Sequence, residues 1–377
     1  MTRPAVSTPV TPAPAATVVL LRPGPGGPEV LLTHRPTTMA FAAGMHVFPG
    51  GRVDPADRDL GLLARSARGQ RDAATALGDN VKPSDAIALH MAAIRELFEE
   101  AGVLLADGAL DGEDLAARRT RLLGGMGLAD VLEGVDLRLR TDLLAPIAHW
   151  TTPPFMPRRF STWYFGADLP PGAEVSFEGD EVIAHRWVSP ATALQQLSTG
   201  EIEMWVPTSS VLQRLVATRA ANAAELGERF VPGATLPPKI LEEGSEIVRF
   251  EFGAVGAVPG RRGESILHGR HELVLVDPGD PSDAALDTID AAVRHRDGAI
   301  RAIVLTATDP DRAAASEAVA IPLEIPILVA PGAGRHLPYT TRELADGERL
   351  PADVDLRVKL GPPGSGRLEV VGGSAGE

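Results

Sequence analysis

Apolar and polar positions along the chain fall into short runs punctuated by glycine and proline. Thr17-Val18-Val19-Leu20-Leu21 and Glu29-Val30-Leu31-Leu32-Thr33 are near-continuous apolar runs joined by Arg22–Pro28, a loop of alternating glycine and proline. Runs of this length read as buried strands, and the pair as a hairpin. A second Gly/Pro cluster follows at Phe48-Pro49-Gly50-Gly51. The period then changes. From about Asp85 to Ala101 apolar residues recur at helical spacing, with Ser84 or Asp85 as N-cap and Gly102 just past the end, which predicts a helix. Further strands are expected at Ile147–Thr151, Thr162–Gly166 and Glu181–Val188, then a helix after Pro190 and another from Ser209 to about Ala221.

Between Asn222 and Gly244 the pattern lapses, with Val231-Pro232-Gly233 and Pro237-Pro238 inside it. Beyond it, strand-like runs (Ile247–Phe252, Leu273–Val276, Ala302–Leu305, Ile325–Val329) alternate with helix-like ones (Ser282–Arg294, Arg312–Val319), the mark of a layered α/β domain. Met1–Ala15, rich in Pro, Thr and Ala, buries too little to order itself. The expected organisation is a disordered segment 1–15, a first domain 16–221, a linker 222–244 and a second domain 245–377. Two domains suit 377 residues at roughly 150 per domain.

Composition narrows the function. The net charge is −14, and Lys82, Lys239 and Lys359 are the only lysines, which argues against nucleic acid as a partner. Cysteine is absent, which excludes disulfides, thiolate metal sites and a cysteine nucleophile, and fits a reducing compartment. No apolar run approaches the ~20 residues that cross a bilayer, and the start lacks the charged and apolar blocks of a signal peptide. A cytoplasmic protein without membrane attachment is expected.

The most informative stretch is Arg95-Glu96-Leu97-Phe98-Glu99-Glu100-Ala101-Gly102-Val103. At about 100° per residue, Glu96, Glu99 and Glu100 share one arc of the helix, and Ile87, Met91, Ile94 and Phe98 lie opposite. Like charges at this spacing repel unless something neutralises them. A solvated acidic face is one reading. A hard divalent cation with oxygen ligands is the other. Arg95 can reach Glu99 one turn on.

The run resembles the signature of the Nudix hydrolase family: a glycine, five residues, an acid, seven residues, then Arg-Glu-apolar-x-Glu-Glu-x-Gly-apolar. The second half is complete from Arg95 to Val103. The first half resembles Gly51, five residues, then Asp57, preceded by Phe48-Pro49-Gly50. Asp57 stands where the family has glutamate, and 37 residues separate it from Arg95, an insertion of 30. Such an insertion, about 58–83, is compatible with the signature if it loops out from the surface and its ends still meet. The resemblance implies an α/β/α sandwich with a mixed sheet, and hydrolysis of a nucleoside diphosphate linked to another moiety. It also implies Mg²⁺ or Mn²⁺ held by Glu96, Glu99 and Glu100 with the Gly51 carbonyl, and Arg95 orienting. A further acid from outside the signature often helps in this family, and Glu181 is the candidate.

Leu31-Leu32-Thr33-His34-Arg35, Gly44 and Phe48-Pro49-Gly50-Gly51 resemble the extra signature of the coenzyme A diphosphatase branch, with Pro36 and Ala40 departing from it. Together with Thr152-Pro153-Pro154 and Arg158-Arg159-Phe160 they look most like its peroxisomal-type subgroup. This resemblance implies Arg35, Gly44, Phe48 and Gly50 as substrate-binding positions. It implies coenzyme A or acyl-CoA as substrate, cleaved to 4′-phosphopantetheine (or its acyl form) and adenosine 3′,5′-bisphosphate. Ala40, where the branch has an arginine, favours an alternative: an ADP-ribose or nucleotide-sugar diphosphatase. A non-catalytic nucleotide sensor or scaffold is the alternative of another class.

In the second half, Leu273-Val274-Leu275-Val276-Asp277-Pro278-Gly279 followed by Ala302-Ile303-Val304-Leu305-Thr306 resembles the start of the metallo-β-lactamase fold. There the second strand leads into Thr-His-x-His-x-Asp-His. Here the histidine positions carry Ala307, Asp309 and Arg312, and Asp311 alone survives. The resemblance therefore implies a degenerate, partial αββα-type domain without a metal centre. Covering the substrate cleft, forming a homodimer and binding another partner are open roles for it.

Overall fold

The computed structural model describes residues 11–38, 42–78, 81–108, 110, 112–152, 158–177, 182–228, 239–252, 263–279, 283–308, 312, 315–337 and 341–372. Glu181, Ala40, Pro153, Pro154, Asp309 and Asp311 lie outside these, as do Met1–Val10 and the Pro/Gly stretch 231–238. The chain divides into two compact units. One takes in Ala13–Trp150 and Phe160–Gly233, and the other is made mainly of Ala234–Glu377.

The strands of the first unit are β1 (Ala13–Gly24), β2 (Gly27–His34), β3 (His46–Val47), β4 (Gly50–Arg52), β5 (Ala106–Asp107), β6 (Arg138–Leu139), β7 (Ala145–Thr151), β8 (Phe160–Asp168) and β9 (Ala184–Val188). Seven of them form one sheet, ordered β3-β2-β1-β8-β7, with β4 against β1 and β9 against β2. The β1–β2 hairpin is antiparallel, as expected, while β8 runs parallel to β1, so the sheet is mixed. Alternation along β1 decides the layers. Ala16, Val18 and Leu20 turn to the core built on the long helix, and Val19 and Leu21 to a second core that includes Leu212 and Leu215. The result is helix, sheet, helix.

The helices of this unit are α1 (Leu60–Ala64), α2 (Gln70–Leu77), α3 (Pro83–Ala101), α4 (Gly112–Leu123), α5 (Leu128–Val131), α6 (Pro190–Thr199), α7 (Val206–Thr218) and α8 (Ala223–Glu228). The acid-bearing helix is α3. It starts two residues earlier than expected, because Pro83 takes its first position, where a missing N–H costs nothing, and Lys82 precedes it as N-cap. It ends at Gly102, whose φ of +71° suits glycine.

Four expectations change. The first strand begins at Ala13, inside the segment expected to be disordered, since Ala13–Ala15 pairs with Phe160–Thr162 of β8. The insertion does not loop out. It folds into α1 and α2, and Leu62, Ala73 and Leu77 are buried in the core around α3. The linker 222–244 holds α8, whose Ala223 and Leu226 are buried in the first unit, and a strand that belongs to the second. Helices α4 and α5 stand where no element was expected.

The second unit has a seven-stranded sheet of β10 (Lys239–Glu243), β11 (Ile247–Phe252), β12 (Gly263–His268), β13 (Glu272–Val276), β14 (Ala299–Val304), β15 (Ile327–Val329) and β16 (Arg342–Glu343), in that order. The first four are antiparallel neighbours and the last four parallel, joined through helices such as α9 (Asp283–His295) and Ser316–Leu323. Parallel strands need such crossovers. A hairpin of β17 (Leu356–Leu360) and β18 (Leu368–Gly372) follows.

Candidate active site

The site is built where β4 passes the last two turns of α3. Gly50–Arg52 pairs with Ala15–Thr17 of β1, and this approach tolerates no side chain: a Cβ on Gly50 would fall 2.5 Å from the Ala16 carbonyl oxygen. At Gly51 a Cβ would fall 2.4 Å from Glu96 Oε1 and 2.7 Å from Oε2. The two glycines thus let backbone and carboxylate meet. Beside them the Gly50 amide donates to Glu100 Oε2 at 3.2 Å.

Arg95 organises the other side. Its Nε and Nη2 donate to the two oxygens of Asp57 at 2.8 and 3.0 Å, a bidentate fork. Its Nη1 donates to Glu96 Oε1 at 2.8 Å and Glu99 Oε2 at 2.9 Å, and Nη2 also reaches the Arg52 carbonyl at 2.8 Å. Asp57 is fully buried and closes its own turn by accepting from the Asp54 amide at 2.7 Å. Insertion and shortened acid notwithstanding, Asp57 and Arg95 meet. The packing of α1 and α2 against the core brings the two ends together.

Glu96 and Glu100 are buried, and Glu99 is partly exposed. Burial pushes the Glu96 carboxyl up to about 7, with Arg95 opposing and Glu99 adding to the rise. Burial works against the Arg95 charge too, but Asp57, Glu96 and Glu99 together raise its pKa above the ordinary arginine value. One guanidinium faces three carboxylates, and a fourth, Glu100, lies on the same helical turn. The site carries excess negative charge in a partly desolvated place, the kind of surplus that points to function.

Among the described residues no three acids or histidines converge as a ready-made cation site. Each glutamate is turned toward a donor, Glu96 and Glu99 both to Arg95 Nη1 and Glu100 to the Gly50 amide. The donor set still fits Mg²⁺ or Mn²⁺: it is all oxygen, it holds more negative charge than Arg95 balances, and the buried Glu96 resists ionising without a cation beside it.

The substrate-side positions divide. Arg35 donates its amide to the Met45 carbonyl at 3.1 Å, and its Nε is buried without a hydrogen-bond partner among the described residues. Gly44 has φ +71° and accepts from His34 Nε2 at 3.0 Å. Phe48 is a correction: its side chain is 3% exposed and packs in the core on the α7 side of the sheet, so it supports the loop and offers no surface to a ligand. Two contributors escaped the sequence reading. The Arg52 carbonyl gives no signal in sequence. Arg119 gives a faint one, an arginine on the apolar stripe of α4 between Leu115 and Leu122.

No family model matches the chain. It is 32% identical over 253 residues to the human acyl-coenzyme A diphosphatase NUDT19, across 55% of this chain and 64% of that protein. It is 25% identical over 191 residues to the putative nudix hydrolase 7 of Caenorhabditis elegans, across 50% of this chain and 55% of that one. The chain spans less than two thirds of the length of either curated relative. Among solved structures, a NUDIX hydrolase from Alicyclobacillus acidocaldarius is 29% identical, covering 59% of this chain and 98% of that chain, with a TM-score of 0.49. Among the described residues no helix is long and apolar enough to cross a membrane.

In the second unit, Asp277 follows β13 with φ +46° and accepts from the Thr306 amide at 2.8 Å and from the Thr306 hydroxyl. Arg312 Nε lies 3.2 Å from Asp277 Oδ2, the oxygen that also accepts from the Thr306 hydroxyl.

Proposed function

We propose that this chain is a Nudix-type diphosphatase that depends on Mg²⁺ or Mn²⁺ and cleaves coenzyme A or acyl-CoA in the cytoplasm. The observation that carries the reading is the meeting of Glu96 and Glu100 with the Gly50–Gly51 backbone beside a buried Asp57–Arg95 pair that also holds Glu99. Glu96, Glu99 and Glu100, with the Gly51 carbonyl, would hold the cation, which supplies charge neutralisation for the diphosphate and an activated water. Arg95 keeps Glu96 and Glu99 in place, and Asp57 keeps Arg95 in place. Burial raises the Glu96 pKa while no cation is beside it, so binding one would release a proton near neutral pH. Glu181 remains the proposed further acid.

The overall step adds water across the P–O–P bridge. One phosphate leaves on 4′-phosphopantetheine (acylated where the substrate is) and the other on adenosine 3′,5′-bisphosphate. The human relative is named for the acyl-coenzyme A reaction, and the Arg35 Nε, buried without a partner among the described residues, favours an anionic ligand. Ala40, at the position of a branch arginine, favours ADP-ribose or a nucleotide sugar as the second reading. The second unit is read as a degenerate, partial metallo-β-lactamase-like domain. Arg312, at a histidine position of that fold, pairs with Asp277 where a metal ligand would be needed.

The test is turnover by the purified chain with Mg²⁺ or Mn²⁺ on coenzyme A, acyl-CoA, ADP-ribose, dinucleotides and nucleotide sugars. Cleavage of coenzyme A or acyl-CoA with the highest kcat/KM supports the reading. Preference for ADP-ribose moves it to the alternative, and binding without any product makes the chain a sensor.

A further inference from the structure

An α-helix leaves its last four carbonyls without partners inside the helix. In α3 all four find one. The Phe98 carbonyl accepts from the Gly102 amide at 3.0 Å, and the Ala101 carbonyl from the Ser176 amide at 2.9 Å. The two between them belong to Glu99 and Glu100, and both accept from Arg119. Its Nε and Nη2 reach the Glu99 carbonyl at 3.0 and 2.7 Å, and Nη2 reaches the Glu100 carbonyl at 3.2 Å. The remaining Nη1 donates to Ser176 Oγ at 2.8 Å.

Arg119 comes from α4 and is 1% exposed, the largest fully buried side chain among the described residues. A charge so deep is costly unless it is met. Here it meets the negative end of a helix and two of its carbonyls. Arginine suits this place because its planar fork spans several acceptors at fixed angles, whereas a lysine is a point charge on a flexible stem. The geometry is also tight around it: a Cβ on Gly102 would fall 2.3 Å from Ser176 Oγ and 3.1 Å from Arg119 Nη1.

We infer that Arg119 is a positioning residue for the acidic face of α3. The last turn of a helix is where it frays, and Glu99 and Glu100 sit in that turn. By fixing their carbonyls, Arg119 fixes the direction in which their carboxylates leave the backbone, toward Arg95 and the Gly50 amide. Through Ser176 it also fixes the segment that follows β8 against the same helix end. The inference rests on the diphosphatase reading of α3.

The experiment compares Arg119→Lys, Ser176→Ala and Leu122→Ala with the unaltered chain. Leu122 lies in the core one turn along α4, so its truncation destabilises the same helix without touching α3's carbonyls. Three quantities are read: Mn²⁺ affinity by electron paramagnetic resonance, amide hydrogen exchange at residues 99–103 relative to 90–97, and kcat with the best substrate. For Arg119→Lys we expect roughly 10- to 100-fold weaker Mn²⁺ binding, the range for supporting residues around a metal, with faster exchange at 99–103 and a parallel fall in kcat. Ser176→Ala shifts the same readouts in the same direction by less, and serves if Arg119→Lys does not fold. Leu122→Ala lowers the unfolding midpoint and leaves Mn²⁺ affinity and kcat as they were. Folded Arg119→Lys or Ser176→Ala with unchanged affinity and exchange overturns the inference, as does Leu122→Ala weakening Mn²⁺ equally. If the unaltered chain binds Mn²⁺ but hydrolyses nothing, the diphosphatase reading falls while affinity and exchange still judge Arg119. Without Mn²⁺ binding, both fall.

Discussion

Each unit places an arginine against a buried carboxylate, and the two arrangements have opposite charge balance. In the second unit Asp277 meets Arg312 and both donors of Thr306, so its single negative charge is answered. In the first unit Arg95 answers Asp57, yet Glu96 and Glu99 share one of its nitrogens and Glu100 relies on a backbone amide. The first is a closed structural pair. The second leaves a deficit of positive charge that a diphosphate's counter-cations can fill. An arginine among carboxylates is not by itself a sign of chemistry; the uncancelled remainder is.

The largest effect should come from removing that remainder. Glu99→Gln or Glu100→Gln should lower kcat on the best substrate by at least about a hundredfold, given that metal-based charge stabilisation is worth several kcal/mol. Steady-state kinetics at saturating Mg²⁺ checks this, and near-normal turnover would reduce the acidic face to a solvated surface. Next comes the pair beneath it. Asp57→Ala leaves Arg95 without its bidentate partner, and breaking a buried pair from one side costs about 3–5 kcal/mol, read from denaturant unfolding.

The pH dependence sharpens the contrast further. Glu96 titrates higher folded, at about 7, than its ordinary 4.5. The folded state therefore binds the extra proton between those values, and stability falls as pH rises through that window. In chelator-treated protein the unfolding midpoint should decline from pH 4.5 to 7, Mg²⁺ should reverse the decline, and Glu96→Gln should flatten it. The smallest effect belongs to the balanced pair. Arg312→Ala should cost about 1 kcal/mol or less, since its side chain is partly exposed, and should leave kcat unchanged. Stoichiometric zinc in the purified chain would contradict the reading of this unit.

Much of the first unit was legible because its signals are local. Gly102 ends α3 through its left-handed φ, and the spacing of Glu96, Glu99 and Glu100 fixes one face of the helix. The β1–β2 hairpin follows from two apolar runs and their Gly/Pro loop. The insertion was misjudged because Leu62, Ala73 and Leu77 sit in short helices whose apolar stripes are too brief to show a period. Asp57 could be placed only with coordinates, since what joins it to Arg95 is packing across 37 intervening residues. Phe48 misled because a motif position was read as a contact position, although an aromatic side chain beside strands is well suited to the core. Arg119 acts through carbonyls that sequence does not display.

The central claim concerns charge, and titration calorimetry of Mn²⁺ into the chelator-treated chain at pH 7 tests it most directly. Run in buffers of different ionisation enthalpy, it should show saturable binding with release of the proton that Glu96 shares at that pH, and weaker binding in Glu99→Gln and Glu100→Gln. Absence of binding, or the same affinity in both variants, would contradict the account.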